Sequence, residues 1–209
     1  MNKKVIKSMF QNIVSRDTLR PLMGGVHFEK ERCYASDGHI LVIYKEGSEK
    51  LDGKTITVDG QEIQGRYPNV DSVMPSANNQ GEPLSVDFVQ LKNACAYHMK
   101  QLSYSEHDRV VINGVGLNIR GLFRLLCTVT LMGDPKNIKF HIKASDKAVM
   151  VTGDNFNGLI MPTLYKEDEV DEIQDFGDTK TLSYENFINN YVFNAWKKNQ
   201  PKDDLDWCA

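Results

Sequence analysis

The stretch that decides the fold is Tyr34-Ala35-Ser36-Asp37-Gly38-His39-Ile40-Leu41-Val42-Ile43-Tyr44. It predicts a strand, a tight polar turn and a second strand, because Gly38 tolerates the positive φ that tight hairpin turns require. The segment Ile40–Tyr44 is too apolar to alternate cleanly, so we expect that strand to be buried on both faces. A second apolar stretch, Gly158–Leu164, has the same strand character. We predict that the two stretches meet in space and build one binding pocket.

Composition is that of an ordinary globular chain. Its 209 residues can bury a sizeable core in one large domain or two small ones, with 41% hydrophobic and 25% charged residues. The formal net charge of −3 argues against a protein that coats itself with nucleic acid through bulk charge, although a local basic face is compatible with it. No apolar run has the length of a membrane span, and no apolar signal core follows Met1. We therefore expect a cytoplasmic protein without a membrane partner.

The four cysteines form no C-x-x-C pair and match no zinc module, so the sequence predicts no metal and no cofactor. We expect at least Cys33, Cys95 and Cys127 to be buried thiols in a reducing compartment.

Periodicity along the chain is typical of the α+β class, with antiparallel strands between helices that carry basic outer faces. Helices are predicted over residues 2–14, from Leu84 to Leu102, and after Asn118, which is placed to cap the third helix. Further strands are predicted at Val26–Glu29, Thr55–Val58, Arg109–Asn113, Ile138–Lys143 and Ala148–Thr152.

Four motifs occur in the order in which the bacterial sliding clamp, the beta subunit of DNA polymerase III, carries its own. The stretch Ala35–Leu41 resembles the A-T-D-G-H-R-L hairpin of the clamp's middle domain. Residues Gly65–Val70 and Val73–Pro75 resemble the G-R-F-P-D and V-L-P that join the middle domain to the last. The stretch Val115–Asn118 resembles the last domain's I-G-F-N, and Leu159–Leu164 resembles its terminal V-V-M-P-M-R.

The resemblance implies a shortened DNA-clamp (processivity-fold) architecture, with antiparallel sheets and helices on one face. After Leu164 we expect a C-terminal helical extension that the family pattern does not contain. The predicted units are residues 1–75, a linker at 76–83, a unit at 84–165 that resembles the last clamp domain, and an extension at 166–209. The extension comprises an acidic connector, a helix over Tyr184–Lys198 and a mobile tail. No counterpart of the clamp's first domain is present, and the middle-domain match lacks its second, helix-containing half.

A clamp does no bond chemistry, and it surrounds duplex DNA with helices whose lysines and arginines contact phosphates without reading bases. Carried onto this sequence, the DNA contacts would be Lys3, Lys4, Lys7, Lys92, Lys100, Arg120 and Arg124. The competing interpretation is that these are ordinary solvated helix faces.

The second implied task is to hold peptides of DNA polymerases and other replication proteins in an apolar pocket. The pocket would comprise Arg20, Met23, Ser36, Gly38, His39, Leu41, Pro68, Val73, Ala148, Leu159, Met161 and Pro162. Ile40 stands where the family has Arg, and Thr163-Leu164 where it has Met-Arg, so the site is less polar here. The competing interpretation is that these residues are core at a sheet junction.

Enzyme interpretations are poorly supported, and no catalytic residue is predicted. Asp37 and His39 are two apart and could suggest acid–base or metal chemistry, but no third ligand or nucleophile accompanies them. Two hypotheses remain. The first is a sliding-clamp-like replication accessory that could form a homo-oligomer, and the second is a non-ring interaction module that keeps only the peptide pocket. The acidic tail Asp204-Leu205-Asp206-Trp207 suggests docking in a pocket of its own or a neighbouring chain.

Overall fold

The structure is a computed structural model that describes residues 3–76, 81–86, 88–100, 105, 107–112, 114–144, 146–164 and 181–182. Three α-helices are assigned within these residues: α1 (Lys3–Phe10), α2 (Phe88–His98) and α3 (Ile119–Met132). The strands are β1 (Gly25–Phe28), β2 (Cys33–Ser36), β3 (Ile40–Tyr44), β4 (Thr55–Thr57), β5 (Glu62–Ile63), β6 (Glu82–Val86), β7 (Arg109–Ile112), β8 (Val115–Asn118), β9 (Lys139–Ile142), β10 (Val149–Gly153), β11 (Phe156–Ile160) and β12 (Thr181–Leu182).

The hairpin β2–β3 forms as the sequence predicts. Ser36 lies opposite Leu41 in an antiparallel pair, and Gly38 occupies the turn with a φ of +94°. The Oδ1 atom of Asp37 accepts hydrogen bonds from the backbone N–H groups of His39 (2.9 Å) and Ile40 (2.8 Å). The first four residues of β3 are buried, which confirms the strand that is covered on both faces.

One long sheet contains ten of the assigned strands, in the order β12-β6-β9-β10-β11-β3-β2-β1-β4-β5. Strand β3 pairs antiparallel with β11, so that Leu41 lies opposite Leu159 and Ile40 opposite Ile160. The predicted meeting of the two apolar stretches is therefore confirmed. The short strand β12 alone pairs in parallel, with β6, among these described strands.

The two faces of the sheet bury different residues because side chains alternate along each strand. Ile40 and Val42 share the main core with residues of all three helices and of the separate β7–β8 hairpin. Leu41, Ile43 and Leu159 point to the other face and form a smaller second core beneath residues 67–74. The α+β architecture with helices on one face is thus confirmed.

Helix α3 begins as predicted at Asn118, whose side-chain oxygen accepts a hydrogen bond from the N–H of Gly121 at 2.9 Å. Its residues Leu122, Leu126 and Val129 are fully buried, which follows from their helical spacing. Among the described helices, none is long and apolar enough to cross a membrane.

Several element boundaries differ from the sequence prediction. Leu84 does not begin a helix but lies in β6, opposite Phe140 of β9, because an extended strand there satisfies backbone groups of the sheet. Helix α1 ends at Phe10, and Val115–Asn118 forms a strand that periodicity did not reveal. Cys33 and Cys95 are buried as expected, whereas Cys127 is only half-buried.

The remaining expectations for the C-terminal region fall on residues that the structure does not describe. These are the acidic connector apart from its last residues Thr181–Leu182, the helix over Tyr184–Lys198 and the tail. The proposed division into units stays a prediction, as does the linker at 76–83.

Candidate functional site

The junction of β3 and β11 brings predicted pocket residues from two distant parts of the chain together. Leu41 and Leu159 are register partners and are buried in the second core, where Ala148 packs against them. Just beyond the paired segment, the carbonyl of His39 accepts a hydrogen bond from the N–H of Met161 at 2.8 Å. Met161 is 43% exposed, so the junction has a buried apolar floor and an accessible apolar side chain beside it.

Residues 67–74, here called the strap, cover the second core. The hydroxyl of Tyr67 accepts a hydrogen bond from the N–H of Ser36 at 3.0 Å, and Tyr67 and Val70 are buried against Leu41. Burial raises the pKa of Tyr67 to about 12, so the phenol stays protonated at neutral pH. Val73 of the strap is 55% exposed, which gives this face a second accessible apolar side chain.

Arg32 fastens the strap to the sheet. Its Nη1 and Nη2 atoms donate to the two carboxylate oxygens of Asp71 at 2.7 and 2.8 Å, and its Nε donates to Glu29. Glu29 also accepts a hydrogen bond from the hydroxyl of Tyr34 at 2.9 Å. The hydrogen bonds from Arg32 hold the pKa values of Asp71 and Glu29 below their usual range. The strap is thus held by a two-pronged ion pair at its middle and by Tyr67 at its start.

The hairpin turn supplies polar groups to the same region. Arg20 and Met23 lie against the turn, because a Cβ atom added at Gly38 would fall 2.8 Å from Nη1 of Arg20 and 3.9 Å from Cε of Met23. Pro68, in contrast, lines a separate cleft of about 480 Å³ together with His27, Tyr34 and Arg66. The predicted residues named above therefore lie around the β3–β11 junction, whereas Pro68 lies on a neighbouring surface.

A larger cleft of about 870 Å³ lies on the helical side of this junction. We call it the arginine-lined cleft, because Arg16, Arg20, Arg120 and Arg124 all contribute to its wall. Its lining also includes Gln11, Asp17, Asp37, His39, Ile40, Met99, His107, Phe123, Ile160, Met161 and Pro162. Arg16 and His107 were not predicted as site residues, because neither belongs to a periodic element.

Arg124 is engaged inside the protein. Its Nη1 donates to Oδ2 of Asp37 at 2.6 Å, and its Nε donates to the carbonyl of Asn12 at 2.6 Å. A longer bond of 3.4 Å reaches the carbonyl of Ile13. Arg124 thereby ties α3 to both the hairpin turn and the end of the first helical segment, a structural role that helical spacing did not reveal. Its contact with DNA phosphate stays a prediction.

The other predicted DNA contacts differ in exposure. Lys7 is exposed and forms a 2.9 Å ion pair with Asp59. Lys92 is half-buried, whereas Lys100 and Arg120 are exposed. The side chains of Lys3 and Lys4 lie outside the described part of the structure. The contact of all these residues with DNA phosphates stays a prediction, and an ordinary solvated helix face is the competing interpretation.

Solved bacterial sliding clamps share this fold. The C. crescentus beta sliding clamp matches with a TM-score of 0.61 and 15% identity, over 78% of this chain and 63% of its own. The DNA polymerase sliding clamp of Pseudomonas aeruginosa gives 0.61 and 13%, over 79% and 66%. The beta subunit from the DNA polymerase of Streptococcus pyogenes gives 0.62 and 11%, over 79% and 65%.

These matches confirm the resemblance at the level of fold. The chain has the sliding-clamp fold in shortened form and spans slightly under two thirds of the length of these clamps. No protein-family model and no curated protein sequence matches the chain.

Proposed function

We propose that this chain is a sliding-clamp-like DNA replication accessory protein that captures peptides of replication proteins, a DNA polymerase among them, at the β3–β11 junction. The observation that carries the proposal is the packing of Leu41 and Leu159 against the strap, with Met161 hydrogen-bonded to His39 next to them, since these parts are far apart in the sequence. In this proposal the protein acts in the cytoplasm, needs no cofactor and catalyses no reaction.

The junction has the chemistry of a peptide site. Met161, just after β11, and Val73 of the strap each offer accessible apolar surface, and Leu41 and Leu159 are buried in the second core. The unbranched, flexible side chain of Met161 suits ligands of different shapes. His39 and Arg20 are exposed at the turn and can orient a peptide through hydrogen bonds. A few apolar anchors with polar orienting groups are what short linear peptides require.

The magnitude of the Met161 contribution follows from its exposure. Burying a fully exposed apolar side chain of this size contributes roughly 1.5–3 kcal/mol. Met161 is 43% exposed, so burying the rest of it contributes about 0.6–1.3 kcal/mol, and a substitution that prevents this burial weakens peptide binding by about 3- to 10-fold. We expect Met161→Asp to have this effect on a fluorescently labelled clamp-binding peptide followed by fluorescence anisotropy.

A matched control separates a site effect from a general one. Leu131 on α3 is 59% exposed and away from the junction, so Leu131→Asp introduces the same charge on an exposed apolar residue elsewhere. We expect this variant to bind the peptide like the unchanged chain. Equal affinity of the Met161→Asp variant and the unchanged chain would contradict the peptide site.

The DNA-binding part of the proposal concerns the helical side. Non-specific binding to phosphates depends on Lys and Arg and weakens steeply with salt. We expect the double variant Lys100→Glu, Arg120→Glu to lose affinity for duplex DNA of any sequence. The slope of log affinity against log salt concentration should become shallower by the amount that about two phosphate contacts contribute. The exposed pair Lys30→Glu, Lys50→Glu, outside the three helices, serves as the charge-matched control.

Ring closure is the part that the oligomeric state tests. The chain spans 63–66% of the length of the solved clamps named above, so more than one copy would have to assemble around a duplex. Native mass spectrometry counts the copies in the oligomer, and a retention assay compares how long the protein stays on circular DNA and on linearised DNA. A closed oligomer held on circles supports the ring.

The second candidate function is a non-ring interaction module that keeps only the peptide pocket. It is favoured by the same short coverage, because fewer clamp units leave fewer surfaces for closure. A strict monomer that binds the peptide but neither binds DNA nor stays on circles would support the module. A chain that binds neither peptide nor DNA would contradict both candidates.

A further inference from the structure

We infer that the acidic C-terminal tail of this same chain, Asp203–Trp207, docks in the arginine-lined cleft. The cleft and the tail complement each other in charge and in apolar character, and the chain between them is long enough for one molecule to connect them.

The cleft carries positive charge in a chain that is negative overall. Arg16, Arg20 and Arg120 are exposed on its wall, while Arg124 and Asp37 are paired with each other. Among the described residues that line the cleft, the other carboxylate is that of Asp17, 3.7 Å from Nε of Arg20. Against a net charge of −3 for the whole chain, this local excess of arginines favours an anionic occupant.

The cleft also offers apolar surface. Phe123 and Met99 are half-buried in its wall, Met161 is partly exposed at its edge, and Ile40 and Ile160 lie beneath. A purely ionic ligand would leave this surface in water. The favoured occupant therefore combines carboxylates with large apolar side chains.

The tail has this combination. In Asp203-Asp204-Leu205-Asp206-Trp207, two aspartates precede Leu205, and a third lies between Leu205 and the large indole of Trp207. Arginine pairs well with carboxylates because its planar guanidinium can donate two parallel hydrogen bonds. A tryptophan side chain buries more apolar area than almost any other, so it can fill the space beside Phe123.

Reach is sufficient for the tail of the same molecule. About 20 residues separate Leu182, paired with Val86 in β6, from Asp203, and an extended chain covers roughly 3.3 Å per residue. That span of ~65 Å far exceeds the ~17 Å radius of gyration typical of a folded chain of this length. Tethering also gives the tail an effective concentration on the order of millimolar.

Docking would regulate the proposed peptide site, because Arg20, His39, Met161 and Pro162 belong both to the predicted pocket and to this cleft. A seated tail would compete with peptides of other proteins. This regulatory consequence rests on the proposed function, whereas the docking itself does not.

A fluorescence experiment on the full chain tests docking without any external ligand. The variant Trp196→Phe leaves Trp207 as the single tryptophan, and acrylamide, being neutral, measures how accessible it is. We expect Trp207 to be shielded, and the further changes Arg16→Glu and Arg120→Glu to raise its quenching constant to that of the urea-unfolded chain. The charge-matched control Lys50→Glu, Arg66→Glu should leave the quenching constant unchanged.

Disulfide trapping with the native Cys208 identifies the occupant. Gln11 is exposed and lines the cleft, so Gln11→Cys places a thiol beside the proposed position of the tail, with Cys127→Ser removing the half-buried thiol. We expect a crosslink within one chain, formed faster than with Gln61→Cys, an exposed position in the β4–β5 turn.

Any one of three results would overturn the inference. Trp207 quenched in the parent chain as readily as in urea would show that the cleft does not hold the tail. Crosslinks only between chains would assign the cleft to a second copy, and equal crosslinking at positions 11 and 61 would show random collision. A shielded Trp207 in the full chain, together with a chain truncated before Asp203 that binds no peptide, would leave docking standing and remove the proposed function alone.

Discussion

Asp37→Ala should destabilise the fold more than any other single change in the β2–β3 hairpin turn. One carboxylate oxygen of Asp37 accepts the N–H groups of His39 and Ile40, and the other accepts from Nη1 of Arg124 at 2.6 Å. Arg124 in turn holds the carbonyls of Asn12 and Ile13. Removing the carboxylate therefore releases the turn, α3 and the segment after α1 together.

The size of the effect follows from burial. Breaking a fully buried ion pair by removing one partner costs about 3–5 kcal/mol, but the Arg124 side chain is 29% exposed and water can reach part of it. Each hydrogen bond to the charged acceptor contributes roughly 1.5–3 kcal/mol, and water replaces much of that at the exposed His39. We expect Asp37→Ala to lower the free energy of unfolding by about 3 kcal/mol, and Asp37→Asn, which keeps an acceptor for the turn, by about half as much.

Urea denaturation followed by far-UV circular dichroism measures this cost. With a slope of roughly 2–3 kcal/mol per molar urea, the midpoint should fall by about 1 M. Asp146→Ala is the control, because its ion pair with Lys147 is 61% exposed on both sides and should leave the midpoint nearly unchanged. A loss below about 1 kcal/mol for Asp37→Ala, or no coupling in a double-mutant cycle of Asp37→Asn with Arg124→Gln, would refute the reasoning.

Three further predictions concern the strap, the turn and the thiols. Arg32 lowers the pKa of Asp71, so this pair stabilises the strap at neutral pH and the contribution is lost as the pH falls below the usual value of 3.8. In Arg32→Met, the free energy of unfolding measured by urea titration should therefore fall by about 0.5 kcal/mol less than in the unchanged chain when the pH is lowered through this range. The same pH dependence in both chains would argue against the pair. Gly38→Ala should cost about 1–2 kcal/mol, measured as a lower thermal midpoint, because φ is +94° there. Burial raises the pKa of Cys33 to about 12, so iodoacetamide should alkylate the half-buried Cys127 before Cys33. Peptide mass spectrometry measures the two rates, which should become equal when the chain is unfolded in urea.

The hairpin and the helix α3 were accessible from sequence because local chemistry decides them. A glycine at positive φ, a run of apolar β-branched residues and an N-capping Asn118 act over a few residues and need no tertiary information. The pairing of β3 with β11 was predicted from matching strand character, and its place in a clamp architecture came from the order of four motifs.

What sequence reasoning missed depends on distant partners. Leu84 fits a helical pattern, but β9 offers backbone hydrogen-bond partners to an extended segment, and tertiary pairing overrides spacing. Arg124 resembles a solvent-facing helix residue until Asp37 is known to lie 2.6 Å away. The β7–β8 hairpin did carry a readable signal, the Asn113-Gly114 dipeptide, and Gly114 adopts a φ of +72°.

The pairing of β3 with β11 has a consequence for how this protein is made. Strand β3 leaves the ribosome about 115 residues before its partner, a delay of roughly 6–20 seconds at ordinary rates of synthesis. During that interval an apolar strand that is destined for burial on both faces has one edge without its partner. Such an edge is a template for association with other chains, so the nascent protein needs protection until residue 160 emerges. The same contact that creates the candidate peptide site therefore makes its formation a late step in the life of each new molecule.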